Sequence, residues 1–538
     1  MLQDLLPQLE RVLKGLPKVQ GEREPVEGLE AATWGPVLVV RTLFEQLGLR
    51  ELFDDVLGES RSAVPYADRA FVLIANRLIR PKSEHGLAGW LETDFVCDRQ
   101  GRRFVPRWHR RGRVRVHHQQ LDAWYRTLDR LLAAKERIEE RLYERLRDLF
   151  SFQPDLVLYD ITSTYFEGAG PAGFAKHGYR RDGRPQNVQV IVGLVMVAGW
   201  PIAHHVWEGN RLDMTTVEEV VNDLMRRFSF GRIVFVGDRG MVSNDNLQAL
   251  KDQGHGYLVG LKRRRNAQVD AWLQATDDAK WVDCPMGINA QESTHPPRTR
   301  VQEVDSGDPE QRVFVIDSDE RRAYEQSKRE QSMPRARVKL ESVQRRVAEG
   351  SLTDPAPIGA AAERALRAHH GYRYFDWRWR EGVFEFFAHP VHLPREKRLE
   401  GKYVVATTEK PFTAQDAVAR YQELTEVEGS IRTLKDVLGM RPIYPRVEPR
   451  VRAHIFVAAL ALLLDRLLRQ RLQSAGVDLS APAALETMQT IRHVTFKLNG
   501  KPRCGVSAAS PRAHPVLSAL GLRELRPPAP PATEETVM

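Results

Sequence analysis

Three acidic residues occupy positions from which a carboxylate can do chemistry: Asp160, Asp238 and Glu428. Asp160 closes the apolar stretch PDLVLYD at 154–160 and precedes the hydroxyl residues Thr162, Ser163 and Thr164, while Asp238 closes the apolar part of RIVFVGDRG at 232–240, before a turn at Gly240. An aspartate at a strand end is aimed by the backbone while the adjoining loop admits substrate, which suits a metal ligand or a catalytic acid. Capping and loop hydrogen bonds use the same positions, and apply with more force to Asp155 and Asp245. Glu428 lies in YQELTEVEGSIRTLKDVLG at 421–439, where Arg432 four positions on and Lys435 seven positions on project from the same side of an ideal helix. Ordinary surface pairing explains such a face equally well, and Leu424, Val427, Ile431, Leu434 and Leu438 make an adjacent apolar stripe expected to pack on a core. Taken together, the three acids offer hard oxygen ligands to two Mg2+ ions about 3.5–4 Å apart, with Mn2+ as a substitute. Such a site activates a water or a 3'-hydroxyl and stabilises charge on phosphodiester oxygens during in-line displacement, with Arg432 and Lys435 placed to position phosphate.

The elements that must hold these side chains follow from periodicity. Strands are expected at 154–160, 187–197 and 201–209, then a helix at 213–228 and another short strand at 232–240, which together call for a mixed α/β sheet. Before them, helical spacing appears at 36–49, ending at Gly48, at 67–79, stopped by Pro81, and in one long amphipathic pattern at 120–150. From 265 to 408 the β-like pieces 311–318, 382–391 and 401–409 flank a charged helical candidate at 321–347 and the aromatic run GYRYFDWRWREG at 371–382, so this segment reads as a mostly β insertion. Helical periodicity returns at 413–438 and 446–471; residues 1–30 are polar, and the proline-rich 526–538 is expected to be disordered.

The chain has 538 residues, 42% of them hydrophobic and 28% charged, which is enough for a substantial core and two to four domains. The amino end shows no secretory pattern, and the longest apolar run, IFVAALALLL at 455–464, is too short for a bilayer and is closed by Asp465, so no membrane association is expected. Cys97, Cys284 and Cys504 are too scattered for a disulfide framework or a zinc knuckle, which fits a reducing cytoplasm. The formal charge of +9 is modest, but arginines and lysines cluster at 101–120, at Lys262 to Arg265 and around 430–454. Nucleic acid is a reasonable partner for such patches, and a solvated basic surface is the other reading.

The motifs around the three acids resemble those of the DDE transposases of bacterial insertion sequences, in the IS4-like group and its IS1634-like branch. YDITSTYFEG at 159–168 is similar to the first-aspartate motif and GDRGMVSNDNL at 237–247 to the second. The third motif has tyrosine, arginine, glutamate and lysine at a spacing matched here by Tyr421, Leu424, Glu428 and Lys435, with leucine standing where the pattern has arginine. Further resemblance lies in 75–91, 177–196, 208–216 and 441–464. The resemblance implies an α/β fold with an RNase H-like catalytic core, interrupted by the mostly β insertion and preceded by a helical N-terminal domain. It also implies Mg2+-dependent cleavage at transposon ends and strand transfer, double-stranded DNA as partner at both ends and target, and self-association in a synaptic complex. The protein would then be cytoplasmic and associated with the nucleoid when bound to DNA.

On this reading residues 1–150 form a helical and basic DNA-binding region, 151–264 the first part of the catalytic domain, 265–408 the insertion, 409–475 the second catalytic part with the glutamate helix, and 476–538 the C-terminal region. Tyr421, Arg432, Lys435, Arg180, Arg184, Lys262 and Arg263 are the candidates for DNA phosphate contact or end processing. Trp207, Trp377 and Trp379 could stack on an exposed base, although packing is the more ordinary use of tryptophan. Two rival functions share these residues: a metal-dependent endonuclease without strand transfer, and a non-catalytic DNA-binding descendant.

Overall fold

Apolar runs punctuated by glycine and proline divide the first 150 residues into helices. After strand β1 (Val26–Thr33), helix α1 (Gly35–Gln46) runs to Gly48, whose φ of 58° turns the chain into α2 (Leu49–Leu57). Helix α3 (Tyr66–Ile79) stops before Pro81 and buries even its polar residues Asp68, Asn76 and Arg77. A two-residue strand, β2 (Phe104–Val105), precedes α4 (Arg115–Ala133) and α5 (Lys135–Phe150), which divide the single pattern at 120–150 at Ala134. The computed structural model describes residues 26–60, 64–98, 101–105, 115–150, 156–178, 183–184, 186–228, 230–241, 243–262, 266–284, 297–498, 501–522, 524–526, 528 and 536–537. Two units are resolved by internal contacts: Met1–Gly231 with Thr425–Met538, and Arg232–Leu424.

In the first unit, β3 (Leu156–Tyr165), β4 (Gln189–Val197) and β5 (Trp200–Glu208) form an antiparallel meander followed by α6 (Val217–Phe228). Every residue of β4 is buried, which is why its sequence lacks polar alternation. β3 continues five residues beyond Asp160, so this carboxylate sits in mid-strand rather than at a strand end. The reason lies in its pairing: Ile161 to Tyr165 face Gly193 back to Gln189 in unbroken register, and Thr162, Ser163 and Thr164 are buried. Tyr159, next to Asp160 and on the opposite face, is fully buried and its hydroxyl lies 2.9 Å from Thr216 Oγ1. Gly193 makes room for that ring, since a methyl there would sit 2.7 Å from the Tyr159 hydroxyl.

The second unit begins with β6 (Val234–Gly237), crosses through the helix Asn244–Asp252 and returns in the parallel strand β7 (Gly256–Gly260). It continues through β8 (Val282–Asp283), β9 (Thr299–Val304) and β10 (Arg312–Ser318) to helices α7 (Asp319–Ala348) and α8 (Pro355–Arg367). The hairpin β11 (Phe375–Arg380) with β12 (Val383–Ala388), then β13 (Lys402–Thr407) and α9 (Ala414–Gln422), complete it, and its sheet runs β6-β7-β13-β10-β9-β8. Residues 265–408, expected to be mostly β around a charged helix at 321–347, hold more helix than strand among the described residues, because α7 extends over 30 residues and α8 packs against it. Helix α7 is held by Ala336, Leu340 and Val343, at i, i+4 and i+7, packed with α8 and the hairpin. Trp377 stacks on Phe384 at 5.6 Å within the same cluster, a packing role.

The chain re-enters the first unit through α10 (Leu424–Arg432), a π turn at Thr433–Val437 and α11 (Glu448–Ser474). Helix α11 carries the longest apolar run, and it is apolar nearly all round because α3 and α4 cover it on some sides and β5 on another. Among the described residues no helix is long and apolar enough to cross a membrane. Strands β14 (Arg492–Leu498) and β15 (Lys501–Val506) then pair, and β1 adds to the other edge of β14. Val26 to Thr33 therefore belong to a sheet whose partner strand lies near the other terminus, which local periodicity could not show.

A buried ionic cluster ties α5 and α6 to β5. Glu139 lies 3.0 Å from His204 Nδ1, 2.8 Å from Lys135 Nζ and 2.7 Å from Arg227 Nη1, and Arg227 reaches Asp223 at 2.6 Å. Burial, reinforced by the Lys135 cation, pushes His204 down to about 4 and His205 down to about 3. Both imidazoles are thus neutral in the folded protein and titrate near 6.5 when unfolded. Their contribution is complete above pH 6.5 and is lost as pH falls through 4 and then 3, because the unfolded chain binds the extra protons. Chemical denaturation at pH 7 and at pH 4.5 should therefore show a fall in unfolding free energy that is shallower in His205→Phe, by up to about 1.4 kcal/mol per pH unit. An unchanged slope would show that His205 is not neutral in the fold.

Candidate functional site

In the first unit the candidate site is built from β3 and the segment that runs from α10 to α11. Asp160 is half-buried, and its Oδ1 accepts the Ile161 N–H at 2.7 Å. Glu428 is exposed on α10, whose inner face is set by buried Val427 and Ile431. Two contacts seat that helix on α11: Arg466 reaches Glu426 at 2.7 Å, and Arg469 donates to Thr433 Oγ1 at 3.2 Å. The Arg466–Glu426 pair also abuts the β4–β5 turn, where a methyl on Gly199 would lie 2.9 Å from Arg466 Nη2. Further along, Ile443 N–H donates to Tyr165 O at 3.0 Å and Thr164 Oγ1 lies 3.5 Å from Met440 O. The segment is thus anchored beside the β4–β5 turn, level with the start of β3, and again at the end of β3, and Asp160 lies between those levels.

The second anchor rests on a buried cation. Arg77 of α3 donates to Gly439 O at 3.1 Å, lies 2.9 Å from His454 Nδ1, and pairs with Glu84 Oε1 at 3.4 Å. Burial resists charge on Glu84, but the His454 hydrogen bond and the Arg77 cation overcome it and hold the carboxyl down at about 2. Burial also pushes His454 below its ordinary range. His454 therefore serves the fold, as a member of this buried cluster. The arginine and glutamate of this cluster were missed in the sequence, although Arg77 at the end of an apolar-spaced helix, with Glu84 seven positions on, is the signal that could have exposed them.

Several sequence candidates take on definite surroundings. The stripe Leu424, Val427, Ile431, Leu434 and Leu438 is buried throughout, which accounts for leucine rather than arginine at 424. Arg432 is exposed, whereas Lys435 is half-buried inside the π turn, so the alignment of Glu428 with Lys435 expected of a straight α-helix does not carry past Arg432. Arg184 is exposed and its guanidinium lies 5.2 Å from the Tyr165 ring centre at the end of β3. Lys262 is exposed just past β7. Arg180 and Arg263 lie outside the described residues, as does much of the basic stretch 101–120. In the patch near 430–454, Arg450 pairs with Asp129 at 3.4 Å and Arg452 with Glu448 at 2.9 Å, so these cations also serve the fold. Trp207 is buried, with its indole N–H donating to Glu219 at 3.0 Å.

In the second unit Asp238 directly follows β6 in an exposed turn, closed by the Met241 N–H donating to Asp238 O at 3.0 Å. Its side chain is met by Tyr421, whose hydroxyl donates to Asp238 Oδ1 at 3.4 Å across 183 positions of sequence. The structure thus brings together two residues that the sequence singled out separately.

Among the described residues no group of three or more His, Cys, Asp or Glu side chains is gathered into a metal-holding cluster. The donor chemistry nevertheless suits a hard divalent ion: Asp160, Asp238 and Glu428 are all carboxylates and all at least partly open to solvent. Each of the three is thus chemically suited to such an ion.

Residues 151–464 match the family model described as a transposase DDE domain. No curated protein matches the chain. The helical N-terminal region and the mixed β-sheet that follows agree with an RNase H-like architecture for that domain.

Two stability outcomes follow from this geometry. Gly429 lies in the interior of α10 and a methyl there would meet nothing within 4 Å, so it does not serve close packing. Gly429→Ala should stabilise the protein by up to about 1 kcal/mol, read as a higher midpoint in chemical denaturation. Arg77→Leu strands buried Glu84 without its cation and should cost about 3–5 kcal/mol, with Arg77→Leu/Glu84→Leu recovering part of the loss. An equally unstable double variant would show that the cation matters through packing alone.

Proposed function

Because this chain belongs to the transposases with a DDE domain, we propose that it cleaves DNA at insertion-sequence ends and joins the freed ends to target DNA, using Asp160, Asp238 and Glu428. The observation that carries this reading is the extent of the family match: 151–464 contains all three acids, each with its surrounding motif. The folded unit Arg232–Leu424 carries the second acid and fills most of the interval to the third, so the chain leaves the first unit after α6 and returns at α10 to present Glu428. The resemblance of the motifs supports, on this reading, membership of the IS4-like group and its IS1634-like branch.

The three carboxylates would hold Mg2+, or Mn2+ in its place. Such ions, when bound, supply stabilisation for charge on phosphodiester oxygens and a lowered pKa for an attacking water or 3'-hydroxyl. Asp160, fixed in mid-strand, presents its carboxylate from rigid backbone, whereas Asp238 sits in an exposed turn. Exposed Arg432 is one turn from Glu428 and supplies positive charge for a phosphate, while buried Leu424 supplies none. Arg184 and Lys262 are further exposed cations for the DNA backbone. Bringing two element ends to one target implies self-association in a synaptic complex.

Labelled donor ends incubated with a target plasmid and Mg2+ or Mn2+ test the reading. Asp160→Ala, Asp238→Ala and Glu428→Ala should each lower cleavage and joining by at least about a thousandfold, with DNA binding retained. Full activity in any one of them removes that residue from the site. Cleavage without joining by the native protein would identify an endonuclease instead, and binding without cleavage would identify a non-catalytic descendant.

A further inference from the structure

We propose that Gly260 and Tyr421 form a positioning pair for Asp238, in which the absence of a side chain on Gly260 seats the Tyr421 hydroxyl so that it orients the Asp238 carboxylate. This rests on the reading that Asp238 is catalytic and adds to it two residues that act through that acid.

The argument begins with α9. A capping box between Thr413 and Asp416 starts this helix, and buried Ala417 and Val418 turn one face onto β6 and β7. Tyr421 is four residues after Ala417 and three after Val418, so it falls on the same face, in the last turn. Its ring lies 6.0 Å from that of Tyr403, and its hydroxyl points at Asp238. A phenol is a hydrogen-bond donor and a carboxylate accepts only, so the proton of this contact lies on the tyrosine.

Directly beside that hydroxyl is Gly260, the last residue of β7, paired across the sheet with Val405. A methyl on Gly260 would lie 2.2 Å from Tyr421 Oη and 3.0 Å from its Cζ. Gly260 is not among the residues with positive φ, so its backbone would accept alanine. The glycine is therefore required by the tyrosine's position and not by the turn of the chain. Asp238 itself lies in an exposed turn, held at its backbone by Met241, and the phenol is what narrows its side-chain orientation. At 3.4 Å the bond is long for a hydroxyl donor, so the effect expected is severalfold to about tenfold rather than complete loss.

The test compares the full-length native protein with Tyr421→Phe, Gly260→Ala, the double variant and Asp238→Ala. Each is assayed for cleavage of its own element-end duplex across a Mn2+ series. Mn2+ binding to the protein on an uncleavable end duplex is followed separately by electron paramagnetic resonance of the free ion, and affinity for that duplex is measured without metal. Tyr421→Phe should raise the Mn2+ needed for half-maximal cleavage, and weaken Mn2+ binding, by up to about tenfold while leaving metal-free DNA affinity unchanged. Gly260→Ala should act in the same direction, and the double variant should be no worse than the poorer single variant, since both act through one hydroxyl. If Gly260→Ala does not fold, the phenylalanine variant alone decides. Metal dependence like that of the native protein in Tyr421→Phe, with Asp238→Ala inactive, overturns the positioning role while leaving the site intact. A loss of DNA affinity with unchanged metal dependence overturns it too, by making Tyr421 a DNA contact. Activity in Asp238→Ala removes the underlying reading instead.

Discussion

A buried positive charge holds the first unit's candidate site in place. Arg77 is buried, with 5% of its surface exposed, so it must find its partners inside the fold, and it finds them in Glu84, His454 and the carbonyl of Gly439. Leaving any of these groups without the others would strand a charge in a low-dielectric interior. That requirement brings α3, the turn after it, α11 and the Gly439–Ile443 segment to one point. Because Met440 and Ile443 also bond to the end of β3, the same requirement sets where the chain leaving Glu428 must run.

The first unit therefore uses two kinds of restraint on its two acids. Asp160 is aimed by unbroken strand pairing, with Tyr159 locked on the opposite face against Thr216. Glu428 is aimed by an exposed helix that is gripped below, through Val427, Ile431 and the arginines of α11. The π turn that follows is the adjustment which lets this helix end on the anchored segment, and π turns of this kind are often found where function constrains a helix. In the second unit the constraint is smaller in scale. A missing methyl on one strand and a tyrosine on a packed helix meet the acid that follows the neighbouring strand.

Asp238 belongs to one folded unit, and Asp160 and Glu428 to the other. The interval from Asp238 to Glu428 is a folded body with its own hydrophobic cluster rather than a tether. Its surface includes exposed cations and aromatic residues, while Trp377 is committed to packing against Phe384. Basic residues near α11 are likewise divided, with Arg450 and Arg452 engaged by acids of the fold and Arg432 left exposed. Charge counted along a sequence therefore overstates what is free to meet phosphate.

By itself the sequence determined the local elements and singled out three acids as candidates. Strands β3, β4, β5, β6, β10 and β13, and helices α1, α3, α9, α10 and α11, overlap the segments whose apolar spacing announced them, because each buries a face that repeats within a few residues. Asp160, Asp238 and Glu428 stood out as candidates by their motifs, and the buried stripe of α10 was legible from its period. Tertiary structure alone decided that β3 runs past Asp160, that Val26–Thr33 is a strand, that Arg77, Glu84 and His454 share one interior, and that Gly260 clears space for Tyr421. Each of these depends on a partner far away in the chain. Pairing of that sort is settled by which surfaces and charges the whole fold must satisfy at once, and no window of neighbouring residues contains that information.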